Sequence, residues 1–382
     1  MGRPSVIALF FSFLKLGTVS FGGPSMIPYI RKMTLAKGWI DERCFDDGVA
    51  FCQTIPGSTA MQTAAYVGLR ASGIAGAAAT FIGFGLPAFI LMMVLSALYV
   101  RFHALPVAIS AFDGLHAVVI AIMANATVLF GKNAIKGWRN AAIAAFCAAL
   151  FGAAINPIVV ITVAGFAGLL MFRNQDKGET EIRITPQAHS FGLILSILLI
   201  FGFGLAVLFF VARTLFDVGF LMARIDLLAF GGGFASVPLM SHYVVDVHSW
   251  MDRPTFLDGI VLGQVTPGPI VITSTYIGFL LAGPIGGVIA TLSVFLPSFL
   301  MVVALAPYFD RLRAKPAFRR IIAGILSSFV GFLAVVTLHF AVGIHWNLTL
   351  SVLSISSFIA LLCKIDILWV VVIGTLASIL LI

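Results

Sequence analysis

The chain has 382 residues, of which 60% are hydrophobic and only 10% are charged, whereas about 25% of the residues in an ordinary soluble domain are charged. Its mean hydropathy is +1.10. This composition excludes a water-soluble fold, because apolar runs recur along the whole chain and leave no polar stretch long enough for a soluble domain. The formal net charge of +8 is typical of basic cytoplasmic loops in a membrane protein, and we expect no nucleic-acid partner.

About 20 apolar residues cross a bilayer as a helix, and this length divides the chain into thirteen candidate elements. The first half has two segments interrupted by Gly and Pro, followed by four spans at 74–100, 106–131, 138–154 and 158–172. After a polar stretch at 173–187 and a lone span at 191–212, the second half repeats this order. The interrupted segments of the two halves are 6–30, 45–68, 216–243 and 256–278.

The two halves form an internal repeat. At offsets of 209 to 211 residues, sixteen identities occur in the same order, including Phe21-Gly22-Gly23 with Phe230-Gly231-Gly232 and Gln53, Pro56 and Gly57 with Gln264, Pro267 and Gly268. The lone span makes the second half enter the membrane with inverted topology, as in many secondary transporters. We therefore predict a first repeat at 1–187, a connecting span at 188–213 and an inverted second repeat at 214–382.

The charges distinguish two topologies. If all thirteen elements cross, fifteen Lys and Arg lie inside and six outside; if the interrupted segments return as hairpins, the numbers become nineteen and three. The positive-inside rule favours hairpins and about nine full crossings, although thirteen crossings with broken helices remain an alternative. The sequence thus predicts an all-α, multi-pass integral membrane protein with a cytoplasmic N-terminus, in contact with membrane lipid.

Each half contains two Gly-rich breaks, at 20–25 and 53–59 in the first and at 230–236 and 264–269 in the second. Irregular backbone survives in a membrane only where protein buries it or a water-filled cavity solvates it. Half-helices that begin at such breaks direct free N–H groups and a positive dipole end into the interior, which suits an anion. The alternative is that these glycines only allow close helix packing.

The candidate substrate-binding residues are therefore the glycines of these breaks and the uncharged polar residues in and around them: Ser20, Gly22, Gly23, Ser25, Gln53, Gly57, Ser58, Gln62, Gly231, Gly232, Gly233, Ser236, Gln264, Thr266, Gly268 and Thr273. Two cations join them, because Lys15 and Arg224 each precede the Phe-Gly-Gly motif of their half by six residues. Charge inside a membrane element is costly and usually functional. Snorkelling of these side chains to the interface is the alternative.

Three further residues are candidates for proton coupling. Asp226 could carry a proton or form a structural salt bridge with Arg224. Asp113 and His116 are three residues apart and share a helix face, so they could relay protons or form a packing pair. The basic run from Arg311 to Arg320 is better explained by positive-inside bias than by a lipid-binding site.

Catalytic and cofactor motifs are absent from the sequence, which contains no P-loop, zinc signature or nucleophile elbow. The four cysteines are scattered without metal-ligand spacing. We expect no metal, no cofactor, no disulfide and no enzymatic activity. Two other classes remain open: an anion channel, and an intramembrane enzyme built on Asp113 and His116.

Three motifs resemble the chromate transporter family in its long, two-domain form: Ser-Phe-Gly-Gly-Pro at 20–24, the Gln-x-x-Pro-Gly breaks, and 266–273 followed by Tyr-Ile-Gly at 276–278. The resemblance runs from about residue 8 to the C-terminus. It implies a carrier of the bacterial inner membrane that exports chromate and confers chromate resistance. Ser58 departs from the family pattern, which has a second proline there.

The repeat with its polar breaks and the family resemblance lead to the same hypothesis: a secondary transporter for a tetrahedral oxyanion that works by alternating access. The two halves, or their hairpins, would move against each other. Chromate and sulfate share shape and charge, so sulfate or another oxyanion is an alternative substrate. The coupling ion or exchanged anion, and whether the chain forms a homodimer, are left open.

Overall fold

The computed structural model describes residues 4–21, 26–173, 191–309 and 315–381, and the secondary structure of these residues is helical. The described part of the first half contains seven helices: α1 Val6–Val19, α2 Met26–Ala36, α3 Glu42–Thr54, α4 Thr59–Phe102, α5 Pro106–Ala134, α6 Trp138–Gly152 and α7 Pro157–Met171. Helix α8, Phe191–Val211, connects the halves. The second half contains α9 Arg213–Leu228, α10 Gly233–Met240, α11 Arg253–Val265, α12 Thr273–Leu305, α13 Pro316–Val342, α14 Leu348–Leu362 and α15 Ile367–Leu381.

The repeat extends to details of the backbone. Helix α4 is kinked at Gly73 (φ 70°, ψ −158°), and α12 is kinked at Gly283 (φ 63°, ψ −159°), 210 residues later. Residues with positive φ also recur at equivalent places in the two halves: Ala154 follows the end of α6, and Lys364 follows the end of α14. Because glycine takes up positive φ without steric cost, the two kinks need glycine at the same place in each half.

Matched N-caps begin the third helix of each half. Asp41 accepts the backbone N–H of Cys44 at the start of α3, and Asp252 accepts that of Thr255 at the start of α11. A carboxylate here satisfies one of the unpaired N–H groups of the first turn. Helices α2 and α3, and likewise α10 and α11, thus meet at equivalent capped turns.

The length and hydropathy of the helices define a multi-pass membrane protein. Among the described residues, five helical segments are long and apolar enough to cross a bilayer: Thr59–Phe102, Pro106–Ala134, Gly192–Val211, Ile270–Tyr308 and Pro316–Val342. Shorter apolar helices include α1, α7, α14 and α15. The predicted fold class, an all-α membrane protein with repeated halves, is confirmed.

The contacts of α1 favour hairpins over full crossings of the interrupted segments. Helix α1 has 14 residues, about 21 Å, whereas the hydrocarbon core is about 30 Å thick. Lys37, in the turn after α2, donates to Ser12 Oγ at 2.8 Å, and Trp39 stacks on Phe13 with ring centroids 6.3 Å apart. The turn after α2 therefore reaches back to the middle of α1, so α2 runs back towards the face where α1 begins and takes its basic turn with it.

The helices of the two halves interdigitate. Helix α1 packs along α4, α9 packs along α12, and α4 and α12 pack against each other. Helix α5, however, packs against α14 and α15 of the second half, while α13 packs against α6 and α7 of the first. At the α7–α13 crossing, a Cβ on Gly324 would lie 2.2 Å from the Ala164 carbonyl oxygen. The last helices of each half therefore complete the packing of the other half.

This crossing gives a stability prediction. Gly324→Ala should lower the thermal unfolding midpoint of the detergent-purified protein by several degrees, since overpacking against backbone costs about 1–3 kcal/mol. Gly152→Ala is the matched control, because an added Cβ there meets nothing within 4 Å and alanine favours a helix. Equal midpoints for the two variants would contradict the close α7–α13 packing.

Candidate functional site

A cavity of about 960 Å³ lies where the broken helices approach one another. Its border includes Ser58 at the start of α4, Gly232 at the start of α10, Pro269 just before α12 and Met26 at the start of α2. Three of the four predicted breaks therefore contribute residues to its border, and Met26 directly follows the fourth break in the sequence. Gly22, Gly23 and Ser25 themselves lie outside the described residues.

Two backbone hydrogen bonds tie the breaks of one half to those of the other. The N–H of Gly57 donates to the carbonyl of Ala229 at 2.9 Å, and the N–H of Gly268 donates to the carbonyl of Ser20 at 2.9 Å. The repeat relates these two bonds, since Gly57 corresponds to Gly268 and Ser20 to Ala229. An unpaired N–H or C=O in hydrocarbon costs several kcal/mol. Each half thus satisfies the irregular backbone of the other.

Polar side chains pack tightly behind Gly57. The Asp226 carboxylate, 1% exposed, accepts the backbone N–H and the hydroxyl of Ser298, both at 2.8 Å. The Gln62 amide donates to the Pro56 carbonyl. A Cβ on Gly57, whose φ is +108°, would lie 1.8 Å from Ser298 Oγ. Only glycine fits this position, for reasons of both backbone angle and space.

Two uncharged polar groups on the cavity wall have no partner among the described residues. Ser58 is the N-cap residue of α4, is 1% exposed, and makes no side-chain cap hydrogen bond. Asn125 on α5 is 7% exposed, and its amide has no protein hydrogen bond within the described ranges. The first turns of α4 and α10 border the same cavity, and helix N-termini carry unpaired N–H groups and partial positive charge. These groups could together bind an oxyanion by hydrogen bonds.

Three cations line the outer part of the cavity: Lys132 in the last turn of α5, Lys136 in the following turn, and Arg319 in the first turn of α13. Asn125 and Lys132 are seven residues apart on α5, so they lie on one face of the helix about two turns from each other, whereas Lys136 follows the end of the helix at Ala134. That face therefore leads from the buried amide to the exposed Lys132, about 10 Å along the helix axis. Asn125, Lys132 and Lys136 were not identified from the sequence, although the seven-residue spacing of the first two was a usable signal, and Arg319 was attributed to positive-inside bias.

The structure places part of the predicted binding set at the cavity: Gln53, Ser58, Gly231, Gly232 and Gly233. Gly57 and Gly268 are not among its described lining residues; their backbone N–H groups make the two hydrogen bonds between the halves. The hydroxyls of Ser20, Ser236, Thr266 and Thr273 donate to carbonyls of their own segments. Gln62 lies behind Gly57, and Gln264 is buried.

The two predicted cations lie away from the cavity. Lys15 is exposed on α1. Arg224 donates to the Tyr243 hydroxyl at 3.2 Å and lies over the Tyr243 ring at 4.8 Å. Asp226 pairs with Ser298 and not with Arg224. The role of these residues in transport stays a prediction.

The proposed relay pair of Asp113 and His116 is not formed in the structure. Asp113 is exposed, whereas His116 Nε2 lies 2.7 Å from Asp258 Oδ1. Asp258, on α11, was not singled out by the sequence analysis. A contact between residues 142 positions apart has no local sequence signal.

A repeated membrane fold, with broken helices around a cavity lined by helix N-termini and cations, defines a class of multi-pass proteins suited to anion transport. The family model for chromate transporters matches the chain twice, over residues 7–169 and 216–379, once in each half. The chain belongs to the chromate transporter family.

Individual relatives agree with this assignment. An uncharacterized transporter of Methanocaldococcus jannaschii is 42% identical over 376 residues, which cover 97% of this chain and 93% of the relative. The chromate transport protein of Cupriavidus metallidurans is 30% identical over 331 residues, 84% of this chain and 78% of the relative. That of Pseudomonas aeruginosa is 29% identical over 356 residues, 87% of this chain and 80% of the relative. No solved structure matches the chain at a significant level.

The packing at Gly57 gives a second prediction. Gly57→Ala should abolish anion uptake and lower the yield of folded protein, because the new methyl group collides with Ser298 and the backbone cannot keep its positive φ without strain. Gly73→Ala is the matched control: its φ is also positive, at +70°, but nothing lies within 4 Å of an added Cβ. Anion uptake and size-exclusion profiles should be measured for both variants. Equal losses of uptake in the two would show that backbone strain, and not the collision with Ser298, causes the loss.

Proposed function

We propose that this protein is a secondary active transporter that exports chromate or a related tetrahedral oxyanion across the inner membrane by alternating access. The observation that carries the proposal is the chemistry of the cavity. Its described lining includes two helix N-termini, the unpartnered Ser58 and Asn125, and three cations, but no Asp or Glu. Such a lining attracts an anion and offers it hydrogen-bond donors.

The distribution of charge along the cavity suits a carrier. The lysines stand at the mouth, where they raise the local anion concentration. The deeper groups, Ser58 and Asn125, are neutral, and neutral donors hold an anion without trapping it. Binding strong enough for entry and weak enough for release is what transport requires.

The same basic residues indicate how the protein is oriented in the membrane. Lys132, Lys136 and Arg319 surround the cavity mouth, and basic residues concentrate on the cytoplasmic side of membrane proteins. We therefore place the mouth, and with it the N-terminus, in the cytoplasm. A cavity open to the cytoplasm is ready to load an anion for export, the direction that would confer resistance.

The substrate assignment rests on the relatives as well as on the site. The proteins of Cupriavidus metallidurans and Pseudomonas aeruginosa are named chromate transport proteins. Hydrogen-bond donors and lysines recognise charge and shape, which chromate and sulfate share. Sulfate is therefore the competitor that any assay must include.

A transport assay tests the function directly. Everted membrane vesicles, or proteoliposomes of the same orientation, should accumulate labelled chromate when an ion gradient or exchangeable anion is supplied, because the sequence contains no nucleotide-binding motif. Sulfate should compete for uptake or be carried itself. Accumulation that needs ATP after all gradients are collapsed would contradict a secondary transporter, and single-channel currents without uphill uptake would indicate a channel.

Charge substitutions test the site. Lys132→Gln combined with Lys136→Gln should raise the KM for anion uptake several-fold at low ionic strength, and the difference should shrink in high salt, since salt screens exposed charges. Lys364→Gln, at an exposed lysine outside the cavity lining, is the matched control. Lys15→Gln belongs in the same series, because a larger loss there than at Lys132 would favour the sequence-based site over the cavity.

A further inference from the structure

The cavity breaks the symmetry of the repeat. Helix α5 packs against α11. The repeat-related helices are α13 and α3, and these two are separated by the cavity, which both of them line through residues such as Leu326 and Gln53. The same pair of helices is therefore in contact in one copy and apart in the other.

One carboxylate joins three helices on the closed side. His116 Nε2 of α5 lies 2.7 Å from Asp258 Oδ1 of α11, and the Tyr99 hydroxyl of α4 donates to Asp258 Oδ2 at 2.6 Å. The Tyr99 ring packs edge-on against Tyr276, with centroids 5.2 Å apart. The side chains of His116 and Asp258 are only 12% and 11% exposed, so this cluster seals the space between α5 and α11.

The repeat-related residues have different surroundings. At the offsets of the repeat, Tyr99 corresponds to Phe309, His116 to Leu326 and Asp258 to Asp47. Leu326 on α13 lines the cavity, and so does Phe309, whose ring packs on Phe51 of α3 with centroids 4.9 Å apart; Asp47 on α3 is exposed. In one copy the histidine of α5 therefore meets the carboxylate of α11, whereas in the other copy the equivalent Leu326 faces the cavity that separates α13 from α3.

We infer that Tyr99, His116 and Asp258 form the gate that closes the transport pathway on the face away from the cavity mouth. In a carrier built from inverted repeats, the second conformation is obtained when the two halves exchange their arrangements. The α5–α11 contact then opens, while α13 closes onto α3 and brings Leu326 towards Asp47. This gate is a further functional element of the pathway, and it rests on the proposed alternating access.

The chemistry of the two gates differs. The closed gate holds two hydrogen bonds to the Asp258 carboxylate, one from His116 and one from Tyr99, and such bonds are strong in a water-poor setting. The open gate would close with Phe309 and Leu326, which are apolar. Polar contacts at Asp258 therefore favour the conformation seen here, and their removal should shift the population towards the other one.

A labelling experiment tests the shift without any substrate. In a Leu326→Cys background, a membrane-impermeant maleimide should react rapidly through the open mouth, with the wild-type chain giving the background from its own cysteines. Adding Asp258→Asn, or independently His116→Gln, should slow this labelling several-fold. Asp47→Asn, the same change at the repeat-related position, is the matched control and should leave labelling fast. Unchanged labelling in both gate variants, or equal slowing by Asp47→Asn, would overturn the gate.

A crosslinking experiment tests the movement. In the double variant His116→Cys with Asp258→Cys, a short bifunctional methanethiosulfonate, which forms a disulfide with each cysteine and releases methanesulfinate, should arrest transport, and reduction by dithiothreitol should restore it. The pair Thr275→Cys with Thr291→Cys, whose native hydroxyls lie 2.6 Å apart within α12, should crosslink without arrest. Continued transport with the gate crosslinked would overturn the inference. A labelling shift in a protein that carries neither chromate nor sulfate would keep the gate and reject the proposed substrate.

Discussion

The structure depends on one constraint, which is that backbone N–H and C=O groups need hydrogen-bond partners where no water is available. Helices that stop inside a membrane expose such groups, and this chain interrupts four segments. The reciprocal bonds from Gly57 to Ala229 and from Gly268 to Ser20 satisfy part of that backbone across the two halves. They also fix the breaks beside one another, which places the new helix N-termini around a common cavity.

The interdigitated packing limits how such a protein can move. If the two sequence halves moved as rigid bodies, α5 would have to part from α14 and α15, and α13 from α6 and α7. Those crossings are tight, as Gly324 against the Ala164 carbonyl shows. Movement of the hairpins against these helix sets avoids that cost. Of the two forms of alternating access that the sequence suggested, the packing favours movement of the hairpins.

The sequence could predict the features that follow from local composition and from the repeat. The Gly-Pro breaks, the capped turns at Asp41 and Asp252, and the return of the basic turn near Lys37 all follow from periodicity, helix-capping preferences and charge bias. Partners distant in the sequence could not be predicted. Asp226 meets Ser298 rather than the neighbouring Arg224, because helix packing and not sequence proximity decides which groups lie together.

The candidate site likewise contains residues that local sequence could identify and residues that it could not. The glycines and Ser58 were identifiable because they interrupt helices, which is a local property. Asn125 and Lys132 sit inside an uninterrupted helix, so their importance depends on which face of α5 meets the cavity. Lys15 has the right charge and the right position within the repeat, but its side chain lies on the outer face of α1. A match within a repeat fixes the position along a helix and not the direction of the side chain.

The two halves also differ from each other at buried positions. Asp226 and Ser298 correspond to Gly17 and Ala88 in the first half, and at Gly17 a Cβ would lie 2.4 Å from the Phe84 carbonyl oxygen. One half therefore packs bare backbone where the other buries a hydrogen-bonded carboxylate. Two identical halves would give two conformations of equal free energy, whereas unequal halves bias the equilibrium between them. Because the polar gate also occurs only once in the repeat, the residues that break the symmetry select the conformation in which the cavity opens among the basic residues.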